Sequence, residues 1–272
     1  GLSENYMDIW DAQKQENNPE IIFSVKYLNP DFAQPFYGAD IVFNWWHSTG
    51  PLKYIINVYE CEDGKDISES PLYDPEHPYE HRDPRLRWCN YVDMDPWYYG
   101  QDVLGDGVKR WRPGFSGGDA AAATDFLLKK FSTESYFPIS YSTKTDYDAV
   151  LIRYAEVLLM YAEAQNESAG PDQSVYDAVN AVRERVGMPQ LPTGLSKEQM
   201  REKIRKERRI ELAYEGKRYM DLKRWKIPHE VIPTIMNPGG TTRSFENPKH
   251  YLFPIPQSEI DINGNLEQNP GY

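Results

Sequence analysis

The feature that most constrains this chain is a run of helical periodicity over roughly residues 150–226. From Leu151, apolar residues recur at Tyr154, Ala155, Leu158 and Ala162, the i, i+3, i+4, i+7 spacing of an amphipathic helix. The spacing predicts a helix over about 150–167, ended by Gly170-Pro171. A second helix over about 174–186 carries Val175, Ala178, Val179, Val182 and Val186, with Gly187 and Pro189 as stop signals. A third, over about 196–215, opens on Ser196 with Gln199 completing a capping box and Leu195 with Met200 forming a hydrophobic staple. Gly216 interrupts it, and a short helix with Tyr219, Leu222 and Trp225 runs to Pro228. Paired helices with small inner residues such as Ala155 and Ala162 resemble one unit of a tetratricopeptide repeat. One pair cannot cover its own apolar face. The face bearing Leu151, Tyr154 and Leu158 is therefore expected to be covered by residues 1–150 or by a second copy of the chain.

The remainder is loop-rich. At 272 residues the chain reads as a single domain with an irregular subregion at 1–145, a helical one at 146–226 and an extended tail at 227–272. Ser3 is placed to cap a short helix carrying Tyr6, Ile9 and Trp10. Ile21 to Tyr27 alternates, so Ile21, Phe23, Val25 and Tyr27 are expected on the buried side of a strand. Phe126 to Phe131 is a second strand candidate. The 20 Tyr, 7 Trp and 21 Pro point to long ordered loops that need aromatic area for their core. No apolar run is long enough to span a bilayer, and no amino-terminal stretch has the layout of a signal peptide, which fits a mature or trimmed form.

Charge and motifs narrow the chemistry. Thirty basic against 42 acidic residues give −12, which disfavours nucleic acid and anionic membranes. Cys61 and Cys89 are too few for a disulfide scaffold and are expected as free thiols. His77 and His81 are separated by Pro78, which argues against a helical metal pair. Asp93, Asp95, Asp102 and Asp106 fit no calcium-loop spacing. No phosphate loop, dinucleotide fingerprint, GxSxG or HExxH is present, so no cofactor and no metal are expected. The basic stretch Arg201 to Arg209 carries Glu in every turn and reads as a solvated helix face. Glu211 and Glu215 lie four apart and suit either a glycosidase pair or pairing with the nearby Arg and Lys, of which pairing is the expectation.

Four segments together resemble the RagB/SusD family. They are DGKDISESPLYDPEHPYEHRDPRL from Asp63, DAVLIRYAEVLLMYAEAQNE from Asp148, ERRIELAYEGKRYMDLKRW from Glu207, and LFPIPQSEIDINGNLEQNPGY from Leu252. The resemblance implies a mainly α fold, a tetratricopeptide-like superhelix fragment with a large irregular region and a few short strands. It implies a non-enzymatic surface lipoprotein of the bacterial outer membrane that binds glycans or other nutrients. It also implies a SusC-like TonB-dependent transporter as partner. The family's amino-terminal half, with its lipidated cysteine and most repeats, has no counterpart in this chain, and neither Cys61 nor Cys89 lies near the amino terminus. Two rival functions stand beside glycan binding: a helical module that grips the transporter without touching glycan, and a glycoside hydrolase.

Family motifs do not name the ligand residues, so candidates come from loop aromatics, whose faces stack on the C–H face of a sugar. Trp45 and Trp46, beside His47, form one cluster. Trp97, Tyr98 and Tyr99, with Gln101, and then Trp111 and Arg112, form the other. Adjacent rings on a strand cannot all point inward, so part of each cluster is expected to face solvent.

Overall fold

The computed structural model describes residues 1–33, 50–114, 124–140 and 142–272. Its strands are β1 (Ile21–Val25), β2 (Asn90–Tyr91), β3 (Pro96–Gln101), β4 (Leu127–Leu128) and β5 (Ala149–Arg153). Its α-helices are α1 (Lys53–Ile56), α2 (Arg85–Cys89), α3 (Tyr154–Ala169), α4 (Gln173–Arg185), α5 (Lys197–Glu211), α6 (Arg218–Arg224), α7 (Pro228–Val231) and α8 (Gln257–Ile262). The chain divides into two compact units, Gly1–Glu215 and Gly216–Tyr272.

The larger unit is organised by α3, α4 and α5. Ala155, Leu159 and Ala162 of α3 meet Val175, Ala178, Val179 and Val182 of α4, and Met200 and Ile204 of α5 close the cluster. The two alanines let the helices approach closely, and burying each Val or Leu contributes about 1.5–3 kcal/mol before conformational entropy is counted. Both later helices start on side-chain caps. Asp172 accepts from Val175 N, and Ser196 and Gln199 form the reciprocal capping box. Gly187, at φ 77°, follows α4 as its stop.

Several sequence expectations need correction. Residues 149–153 are not the first turn of α3. They pair antiparallel with β1, from Ile21 opposite Arg153 to Val25 opposite Ala149. The β-branched Val150 and Ile152 suit a strand, and a partner strand distant in sequence decides between the two periods. Helix α3 then begins where Tyr154 N donates to Glu20 O at 2.8 Å. Its buried face is Ala155, Leu159 and Ala162, while Tyr154 and Leu158 sit at the margin and Leu151 is 45% exposed. The alternation in β1 marks a strand but not its buried side, since Phe23 is 55% exposed and Val25 is exposed as well. Finally, α5 stops at Glu211 and not at 215, because Tyr214 turns through φ 70° before Gly216.

The irregular half is pinned at specific points. Tyr6, Ile9 and Trp10 are buried as expected, with Cys89, Tyr147, Val186 and Met188, on a 3₁₀ turn at Tyr6–Ile9. The cap there is Asn5, which accepts from Met7 N, while Ser3 donates to Asn5 O. The strand expected over Phe126–Phe131 is only β4, paired with β2. In the DGK loop, Gly64 takes φ 75° and a Cβ there would lie 2.8 Å from Pro189 of the α4–α5 turn. Cys61 and Cys89 are buried and free.

In the smaller unit, Gln268 ties the tail to the PIP segment. Ile255 N donates to its Oε1 at 2.8 Å, and its Nε2 donates to Ile255 O at 2.9 Å. Asn269 Nδ2 donates to Phe253 O at 2.7 Å. These bonds give the QNPGY motif a structural role.

Candidate functional site

Two constellations gather the side chains that could carry chemistry. The first is a buried ionic cluster that gathers distant motif segments around Glu211. Arg85, from the RDPRL turn, donates to Glu207 at 2.6 Å and Glu211 at 2.8 Å, and clasps Asp83 through Nε and Nη2. Arg153 donates to Glu20 and Glu211, both at 2.6 Å, and to Glu215 at 2.7 and 2.9 Å. Arg185 bridges Glu20 and Glu211 at 2.7 and 2.5 Å, and Arg183 bridges Glu60 and Glu207, both at 2.9 Å. Lys130 closes on Glu215 at 2.7 Å and Lys206 on Glu60 at 2.9 Å. The cations Arg85, Arg153, Arg183, Arg185, Lys130 and Lys206 therefore balance the anions Asp83, Glu20, Glu60, Glu207, Glu211 and Glu215. Neutrality of this kind is what lets charges sit away from water.

Burial pushes the Glu211 carboxyl up, but Arg185, Arg153 and Arg85 together outweigh it and hold the group well below the usual range. Glu215 is likewise raised by burial and, on balance, lowered by Arg153 and Lys130. A glycosidase acid needs the opposite shift. Both carboxylates are spent on the same guanidinium of Arg153, so the pairing expected from the sequence is what the geometry contains. The shifts predict an acid limb of stability. Groups whose folded pKa is depressed stabilise fully above their unfolded value of about 4.3. That stability drains as the pH falls below this value toward the folded ones. Thermal melts from pH 7 to pH 3 should therefore fall steeply below about pH 4.5, and a flat profile across that range would contradict the arrangement.

The second constellation is the aromatic hairpin. Strand β3 folds back on residues 109–111, with Trp97 N donating to Lys109 O at 2.9 Å and Trp111 N to Asp95 O at 2.8 Å. Gly100 permits this approach, because a Cβ there would lie 2.2 Å from Arg110 O. Alternation along β3 sends Trp97 inward and Tyr98 outward. Trp97 is 3% exposed and Trp111 0%, packed edge to face at 5.3 Å with Trp111 Nε1 donating to Asp125 O. These two rings are thus a floor; with no open face, neither can stack on a ligand. Tyr98 is 48% exposed. It meets Tyr99 edge on at 5.0 Å and Phe137 at 5.9 Å. Tyr99 is half-buried and its hydroxyl accepts from Ile139 N at 2.5 Å, which fixes the ring. Arg112 pairs through Nε with Asp93 at 2.7 Å. Trp45 and Trp46, with His47, lie outside the described residues.

The sequence reading missed Phe137 and Lys109. Lys109 Nζ lies 5.8 Å from the Tyr98 ring centroid. The Gly105-Asp106-Gly107 turn signals a hairpin that would bring 109 back to 98, whereas no local signal links Phe137 to Tyr98. The four loop aspartates are each engaged. Asp93 and Asp106 pair with Arg112 and Arg110, Asp95 pairs with Arg87, and Asp102 accepts from the amides of Asp106 and Gly107. His77 and His81 hold separate carboxylates, Asp74 and Glu62.

Comparison with known proteins settles the family. The model of the SusD family matches residues 9–272. The chain belongs to the SusD family. A SusD-like protein of Formosa agariphila is 42% identical over 131 residues, which is 44% of this chain and 25% of that protein. A SusD-like protein of Bacteroides fragilis superposes with a TM-score of 0.79 at 29% identity, covering 100% of this chain and 59% of its own. A SusD-like carbohydrate-binding protein of the same organism gives 0.76 at 28% identity, covering 98% and 58%. This SusD-family chain thus spans somewhat more than half the length of those two solved chains. The ionic cluster joins three of the four segments that carried the resemblance, those beginning at Asp63, Asp148 and Glu207, so those motifs mark architecture. The aromatic hairpin lies outside all four.

Proposed function

We propose that this chain binds glycan at the bacterial cell surface, with Tyr98 as the stacking platform, and passes it to a SusC-like TonB-dependent transporter in the outer membrane. The observation that carries the reading is a solvent-facing tyrosine braced by Tyr99 and Phe137 above a packed Trp97–Trp111 floor. A rigid aromatic face loses little entropy when a sugar lies on it. Family membership and a carbohydrate-binding neighbour support the ligand class. Binding without chemistry is favoured because the carboxylate pair that suited hydrolysis is locked among arginines.

Tyr98→Ala is expected to weaken oligosaccharide binding by about 1–3 kcal/mol, a tenfold to hundredfold loss. Its melting temperature should be unchanged, since the ring is half in solvent. Titration calorimetry beside thermal melts reads both, and a variant that binds like the parent would place the site elsewhere. The transporter step is tested by co-purification of the full-length protein with its channel.

A further inference from the structure

Lys109 gives the platform a ligand preference. Its side chain is exposed, and among the described residues no carboxylate pairs with it; its ammonium lies 5.8 Å from the centre of the Tyr98 ring. The neighbouring cations differ. Arg110 is held by Asp106 through two bonds at 2.6 and 2.8 Å, and Arg112 by Asp93. The nearby Asp102 is committed to the amides of its own turn. The hairpin thus carries one uncommitted positive charge, and it sits over the ring that a sugar would use.

Resting on the glycan-binding reading, we infer that the Tyr98 site selects acidic glycans, with Lys109 taking the carboxylate or sulfate of a sugar whose C–H face lies on Tyr98. A neutral sugar that stacks on the ring face under Lys109 must displace the ammonium and receives nothing in return. The lost cation–aromatic contact amounts to about a twofold to fivefold penalty. An acidic sugar displaces the same ammonium but re-engages it as a charge-assisted hydrogen bond. The acidic balance of the whole chain does not cancel this. At physiological salt, charges beyond about 8–10 Å are largely screened, so the cation at the ring decides locally.

The test uses four probes in titration calorimetry: oligogalacturonate, the same oligomer after carboxyl reduction, a sulfated galactan oligosaccharide, and its desulfated form. The parent should prefer the acidic member of at least one pair, and which pair responds tells carboxylate from sulfate. Lys109→Gln should lose about tenfold for that acidic probe while its neutral partner binds equally or up to about fivefold better. Lys109→Arg should keep the preference. Opposite signs for the two probes are the signature, because a lysine that merely holds the hairpin would weaken both together. An equal loss for both, no change for either, a parent that prefers the neutral probes, or a parent that binds none of the four would each overturn the acidic preference. The underlying reading fails separately: Tyr98→Ala would then bind every probe as the parent does.

Discussion

Replacing Glu211 by Ala is expected to destabilise the chain by roughly 3–5 kcal/mol, the cost of breaking a buried ion pair and leaving its partner uncompensated. Glu211 is the acceptor that Arg85, Arg153 and Arg185 share; Arg85 and Arg153 are buried, and the Arg185 side chain is 5% exposed. Removing it takes a shared acceptor from three guanidinium groups in a low dielectric and leaves one positive charge without its balance. The loss is a large share of the 5–15 kcal/mol by which a domain is stable. The melting temperature should drop by roughly 10 °C or more. Glu211→Gln separates the two contributions. It keeps the shape and an acceptor oxygen but not the charge, so it should recover part of the packing and little of the electrostatics. Urea titrations of parent, Glu211→Ala and Glu211→Gln would read this. A cost under about 1 kcal/mol for the alanine variant would mean that water enters the cluster and that its geometry is not what holds these segments together.

The second large effect lies under the platform. Trp111→Ala should cost roughly 3–5 kcal/mol, because a fully buried ring leaves a cavity and strands the Asp125 carbonyl that its Nε1 satisfied. The damage should spread to binding. Trp97 rests edge on against Trp111 at 5.3 Å and Tyr99 against Trp97 at 5.7 Å, and Tyr98 leans on Tyr99. Trp111→Ala should therefore lower both the melt and the glycan affinity, whereas Tyr98→Ala lowers affinity alone. Trp111→Phe, which refills much of the cavity, should restore most of the stability. Should Trp111→Ala melt like the parent and lose only binding, Trp111 would be a contact residue and the floor assignment would be wrong.

Local rules written in the sequence determined α4 and the capped start of α5. The valine spacing, the Ser196–Gln199 box and the Gly187 stop act within one or two turns, and they place α4 and the start of α5 to within a residue. The same locality explains why the motif blocks could be recognised in linear order. Tertiary structure decided what depends on partners far along the chain. Residues 149–153 carry both a helical and a strand pattern, and β1, more than a hundred residues earlier in the chain, selected the strand. Which rings of the aromatic cluster face water was set by the return arm at 109–111 and by Asp125, so Trp97 and Tyr98, adjacent in sequence, have opposite fates. Glu211 and Glu215 read alike as a catalytic pair or as salt-bridge partners. Only the convergence of Arg85, Arg153 and Arg185 on Glu211, and of Arg153 and Lys130 on Glu215, lowers their proton affinity and chooses between the two. Burial and long-range charge are sums over neighbours that folding assembles, and no window of sequence contains them.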